Sequence, residues 1–477
     1  MHTYAFCVYN PRVQDDHAAP LWGGRFTDSA DDRALELSSS LEIDLPLAPY
    51  DIDGTRAHLE ELEALGIVTA EQREALDSAL TTIAEQLEAG TFAWKPEHED
   101  IHMNIEAAII ELVGPELGGH LQAGRSRNEE IVSDERRWLL DAARRLDVGL
   151  KRLQQTLVDR AQDETDTILP AHTHTQPAQP VLLAHHLLAY VEMLDRDRAR
   201  LADAAARADR CPAGSGAAVG SGLPIDRHRL AARLGFAAPS DNSLDAVADR
   251  DYAVELVSAI AIALGHLSRI AGELVLWSTP YVGFVRLADG YASGSSMLPN
   301  KRNPDSAELV RARASRVAGD LAALLSLTSG LPLAYHRDLQ ETRRAMFDAV
   351  ASLELCSDVL AGALATATFD RPAMRVAAGR GHALATVLAE RLVRAGVPFR
   401  SAHQRVGRLV AIAEERGCDI AELPEADLKA AFPELAGLPS VMPTLEEAVA
   451  SADVHGGTAP HRVRAALEAA RERLATQ

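Results

Sequence analysis

The stretch VSAIAIALGHLSRIAGELVLW, Val257 to Trp277, is the most apolar tract of the chain. It is broken only by His266, Arg269 and Glu273, so it reads as a buried helix and not as a membrane span. Extended from about Asp249 to Thr279 it meets no proline and would run about 46 Å at the α-helical rise. It is apolar on nearly every side, more than one bundle in one chain buries, and this predicts assembly with further copies.

Similar periodicity extends outward. Leu76, Leu80, Ile83 and Leu87 mark one face of a helix that Gly90 should close. Leu139, Leu146, Leu150, Leu153 and Leu157 stripe a helix from about Ser133 towards Pro170. Another follows Pro180 and stops near Arg210, ahead of Cys211-Pro212. A fifth begins at Pro304, with Asn303 as its cap, and reaches about Ser329. The expectation is an all-α chain of three helical regions: 1–123, 124–375 with a central bundle of long helices, and 376–477.

The net charge of −21 argues against nucleic acid as a partner. Only four of the 48 basic residues are lysines (Lys95, Lys151, Lys301, Lys429). Four scattered cysteines form no C-x-x-C pair, which suggests neither a zinc site nor disulfides and fits free thiols in a reducing cytoplasm. No secretory signal is evident at the amino terminus.

Polar residues gather in a few loops. EDIHMNIE groups Glu99, Asp100, His102, Asn104 and Glu106, and GRSRNEE sets Arg125, Ser126, Arg127 and Asn128 at a helix start, where a carboxylate is well received. The same segment also reads as a plain capping loop, with Ser126 or Asn128 as cap. HTHTQPAQP, His172 to Pro180, reads as a loop between helices; with no further ligands a metal site is not suggested, and its histidines read either as structural or, given the loop's place between bundle helices, as acid–base groups. GSGAAVGSG follows a helix and not a strand, so it is no dinucleotide loop. GSSMLPNKRNPD, Gly294 to Asp305, sets two hydroxyls near Lys301 in a glycine-bearing loop.

GSSMLPNKRNPD and HTHTQPAQP resemble two motifs of the fumarase/aspartase superfamily. Within it the chain is similar to the argininosuccinate lyases, through LWGGRF, EDIH, GRSRN, QPAQP, LPIDR, SLDAVADRDY, LPLAYHRDLQE and VPFRSAH in order along most of its length. The resemblance implies anti elimination of fumarate from argininosuccinate, without metal or organic cofactor, in a homotetramer whose sites each draw on three subunits. It assigns the base to Ser295, the loop cation and amide to Lys301 and Asn303, and the Thr-His motif to Thr173 and His174, with Glu308 as the histidine's partner. Ser126, Arg127 and Asn128 would hold the fumarate portion, and Tyr335, Gln340 and Arg343 the remainder. The chain departs from the pattern at Met297-Leu298, Glu129-Glu130, His336 and Arg343. An adenylosuccinate-type lyase or a non-catalytic homologue are the competing readings.

Overall fold

The computed structural model describes residues 31–476. The LWGGRF stretch and Cys7 lie outside them. Helices build the described chain and two two-stranded sheets interrupt it, so the class is all-α. There are two compact units, one ending at Ala123 and the other beginning at Gly124.

The first unit is built on α1 (Ala48–Ala64), α2 (Ala70–Glu88) and α3 (Ile101–Val113). Thr69 and Gln72 close a capping box ahead of α2, and Leu76, Leu80 and Ile83 turn into the core. Gly90 ends α2 at φ +67°, and Thr91 N–H then donates to Gln86 O at 2.8 Å, a Schellman closure. The polar EDIH stretch is used in folding: Asp100 caps α3 through Met103 N–H at 2.7 Å, and Asn104 donates to three backbone carbonyls. His102 Nδ1 lies 2.7 Å from Asp51 Oδ1, both buried.

Five long helices form the bundle of the second unit: α4 (Arg127–Asp163), α5 (Leu183–Ala208), α6 (Asp251–Ser278), α7 (Asp305–Thr328) and α8 (Thr342–Thr366). The helix at residues 70–88 belongs to the first unit, and α8 takes the fifth place in the bundle. All five leucines of the α4 stripe are buried.

Cross-helix pairs give the directions. Arg198 meets Asp147 and Gln154 meets Val191 O, so α5 runs antiparallel to α4. His186 meets Glu273 and His266 meets Asp197, so α6 runs antiparallel to α5. Arg316 meets Asp348 between the antiparallel α7 and α8, while Arg145 meets Glu354 between the parallel α4 and α8. The starts of α4, α6 and α8 therefore share one end of the bundle with the last turn of α5.

The loop expected between α4 and α5 is a β-hairpin, β1 (Ile168–Thr173) paired with β2 (Gln176–Leu182). Pro170, Pro177 and Pro180 argue against a strand in sequence, but each strand of a two-stranded ribbon keeps an open edge that needs no N–H. A second small pair, β3 (Val285–Arg286) and β4 (Thr368–Phe369), joins the segment after α6 to the end of α8.

Beyond it, α9 (Ala385–Arg394) and α10 (Phe399–Glu415) pack with Ile420, Leu428, Phe432 and Leu435 in a hydrophobic cluster of their own. The last helix, α11 (Pro460–Thr476), returns to the bundle, where Arg473 Nε meets Asp195 on α5 at 3.0 Å.

Candidate active site

At one end of the bundle lies the start of α4. Ser126 is its N-cap, its Oγ accepting from Asn128 N–H at 3.3 Å, and Glu129 completes a capping box by taking Ser126 N–H at 3.4 Å. A hydroxyl that accepts at a cap keeps its own hydrogen for a ligand, so the capping and anion-binding readings of this segment are compatible. Asn128 Nδ2 donates to Ala217 O at 3.2 Å and Arg127 is half-buried beside it.

Tyr335, Gln340 and Arg343 belong to the same end. Arg343, 1% exposed, faces Glu135 Oε1 at 3.5 Å, and Arg250 faces the other oxygen at 3.6 Å. Tyr252 donates its hydroxyl to that carboxylate. Arg343 thus lies inside the unit, where its Nε donates to Gln340 O at 3.2 Å; Gln340 is also buried and Tyr335 is half-buried. Burial pushes the Tyr335 phenol above its ordinary range against the pull of Arg343 and Arg337, so it stays a neutral donor at physiological pH.

At the other end, His174 and Thr175 form the two-residue turn of the hairpin, at φ 54° and 60°. Positive φ at both central positions is what a type I′ turn requires, and two residues with side chains there is a strained choice that presents Thr173 and His174 to solvent.

Ser295 and Lys301 lie on a loop with a closed neck. Ser293 and Asn303 pair as an isolated antiparallel bridge, Ser293 Oγ donates to Asp305, and Asn303 Nδ2 reaches Ser293 Oγ at 3.4 Å. Asn303 is therefore a neck residue, and Pro304 holds the capping position of α7 expected for it. Arg302 tethers the loop through Leu287 O and Asp289, both at 2.6 Å.

Inside the loop, Ser295 Oγ accepts from Met297 N–H at 3.3 Å and Leu298 N–H at 3.1 Å. Two amide donors on one hydroxyl oxygen favour its ionised form, by the same physics as an oxyanion hole. Lys301 is exposed and its ammonium makes no ion pair among the described residues.

His174 and Glu308, both exposed, are not joined within one chain by any hydrogen bond or ion pair among the described residues. Helix α6, which runs between the two ends, is about 42 Å long at the helical rise. One chain keeps the start of α4 and its serine loop at opposite ends.

Sequence reasoning named Glu129 only as a departure from the family pattern and missed its contacts, along with Glu135 and the Arg302 tether. Glu129 had a readable signal, the Ser-x-x-Glu spacing of a capping box. Glu135 and Arg302 had none, since their partners are distant in the chain or are backbone atoms.

A helical bundle with an anion-ready helix start, a strained Thr-His turn and a necked serine–lysine loop defines a lyase of the fumarase/aspartase type. The family model described as "Lyase" matches residues 24–319, and the one described as "Argininosuccinate lyase C-terminal" matches residues 382–452. The argininosuccinate lyase of Hyphomonas neptunium (strain ATCC 15444) is 45% identical over 466 residues, 97% of this chain and 99% of that protein. A variant of EDDS lyase with bound fumarate superposes with a TM-score of 0.80 at 26% identity, covering 94% of this chain and 91% of that one. The class II fumarase of Schistosoma mansoni shares the fold, with a TM-score of 0.68 at 17% identity over 85% of this chain and 94% of that one. The chain belongs to the argininosuccinate lyase family.

Proposed function

We propose that the protein cleaves argininosuccinate to arginine and fumarate by anti β-elimination. Ser295, as the alkoxide, removes the proton from the succinyl carbon next to a carboxylate. The electron pair spreads onto that carboxylate, and the carbon–nitrogen bond then breaks to leave fumarate. Lys301 and the loop amides stabilise the dianion, most strongly once the loop has excluded water.

His174, paired with Glu308, delivers the proton to the departing guanidinium nitrogen. Thr173 and Asn303 contact the substrate beside them. Ser126, Arg127 and Asn128 hold the fumarate portion. Tyr335 and Gln340 meet the remainder, with Arg343 serving that end through Glu135.

The observation that carries this reading is the pair of amide donors on Ser295 Oγ, in a loop that also presents the exposed Lys301. The working unit is a homotetramer. Its support is the separation of the two ends within one chain, together with apolar side chains left on the bundle surface, such as Val148, Leu276, Leu309 and Leu325. The free thiols Cys211, Cys356 and Cys418 fit a cytoplasmic location.

The test is release of fumarate from argininosuccinate and, separately, from adenylosuccinate. Fumarate from the second alone would replace the substrate; fumarate from neither would end the reading.

A further inference from the structure

The glycine loop at residues 214–222, set aside in sequence as no dinucleotide site, folds against the start of α4, and one carboxylate joins the two. Gly216 N–H donates to Glu129 Oε2, while Glu129 Oε1 takes Ser126 N–H at 3.4 Å. Asn128 Nδ2 binds the next carbonyl of the loop, Ala217 O, at 3.2 Å.

The loop is shaped for this contact. Gly216 sits at φ +59°, and a Cβ there would come within 2.7 Å of Gly220 O. Gly124 sits at φ +74°, where a Cβ would meet Leu223 Cδ1 at 2.6 Å. Arg227 holds the outer side, bonding Ala213 O and Ser215 Oγ, each at 3.0 Å. Glu129 itself is 3% exposed, so it is covered and touches no ligand directly.

We propose that Glu129 is a positioning residue for the carboxylate-binding end of the site, fixing Ser126, Asn128 and the glycine loop in one arrangement. The proposal rests on the reading that Ser126 to Asn128 hold the fumarate portion of the substrate. Those contacts persist from bound substrate to transition state, so loosening them weakens binding more than it slows chemistry.

The experiment compares kcat and KM for argininosuccinate in wild type, Glu129→Ala and Glu129→Gln, with oligomeric state and helix content measured on each. Glu129→Ala is expected to raise KM about tenfold while kcat falls less than about threefold. Glu129→Gln keeps the length and one acceptor for Gly216 N–H, and should restore most of the wild-type KM. If Glu129→Ala does not assemble, Glu129→Gln decides alone, through a KM raised about two- to threefold at near-normal kcat. Wild-type KM in both variants, or kcat and KM changing only with the folded fraction, overturns the proposal. Wild type that releases no fumarate from argininosuccinate overturns the functional reading instead.

Discussion

Ser293 and Asn303 exchange both backbone hydrogen bonds, Ser293 N to Asn303 O at 3.0 Å and Asn303 N to Ser293 O at 2.8 Å. The residues between them begin and end at one point, so the loop that carries Ser295 and Lys301 leaves and rejoins the chain at a fixed neck just ahead of α7.

If Ser295 is the base, Ser295→Ala removes the atom on which Met297 N–H and Leu298 N–H converge. Fumarate release should fall by about 10²–10⁴-fold, the range for loss of a proton-transfer group, with assembly and helix content unchanged. Turnover within a few-fold of wild type would remove Ser295 from the mechanism.

The separation of the two ends predicts complementation between damaged chains. Arg127→Ala injures one end of each chain and Ser295→Ala the other, so in the proposed homotetramer an assembly of either variant alone has every site damaged. Mixed tetramers, formed by co-expression or by dissociation and remixing, should contain some sites built from undamaged ends of different chains. Activity well above that of either parent is expected; no gain on mixing, with mixed tetramers present, would mean that each site is built within one chain.

The helices were legible because apolar side chains recur at helical spacing for long distances. The sequence bounds of α6 and α7 fall within about two residues of the observed ones, the ordinary scatter of helix ends. Helix α8 stayed hidden because its charged start and alanine-rich body, TRRAMFDAVASLELCSDVLAGALAT, dilute the stripe. The hairpin stayed hidden because its prolines speak against strands and its turn uses His174-Thr175 where glycine or asparagine would have signalled one. The residues of the loops were legible as candidates one by one. Their distribution over two ends of a bundle was not, since it follows from helix directions that local sequence does not encode.

The region after α8 supports the His174 turn. Gly381 sits at φ +69°, and a Cβ there would meet Pro177 Cγ at 3.2 Å, close to the Thr173–Gln176 pair that closes the turn. The next residue, His382, is locked by its N–H to Asp419 Oδ2 at 2.8 Å and by Ile420 N–H to its Nδ1 at 3.2 Å, so the contact has little room to retreat. Gly381→Ala should therefore displace the hairpin and lower kcat about tenfold, with a stability loss of about 1 kcal/mol from the left-handed backbone. Loss of stability with unchanged kcat would show that the contact only holds the fold.

Glu129 makes a prediction for pH. Burial, and after it the charge of Glu130, pushes its carboxyl up to about 7, against the pull of Gly216 N–H, Ser126 N–H and Arg125. A carboxyl raised on folding stabilises the native state fully below the unfolded value of 4.5, and this contribution is lost as pH rises through about 7. Glu129→Gln removes the titration. Its stability relative to wild type should rise across that window by up to about 3 kcal/mol, at about 1.4 kcal/mol per pH unit, and then level off. Thermal unfolding of both proteins over a pH series, at one protein concentration because association of subunits shifts a midpoint, reads the difference directly. Parallel curves from acid to alkaline pH would mean that Glu129 titrates alike in the folded and the unfolded chain, its bonds to Gly216 and Ser126 offsetting its burial.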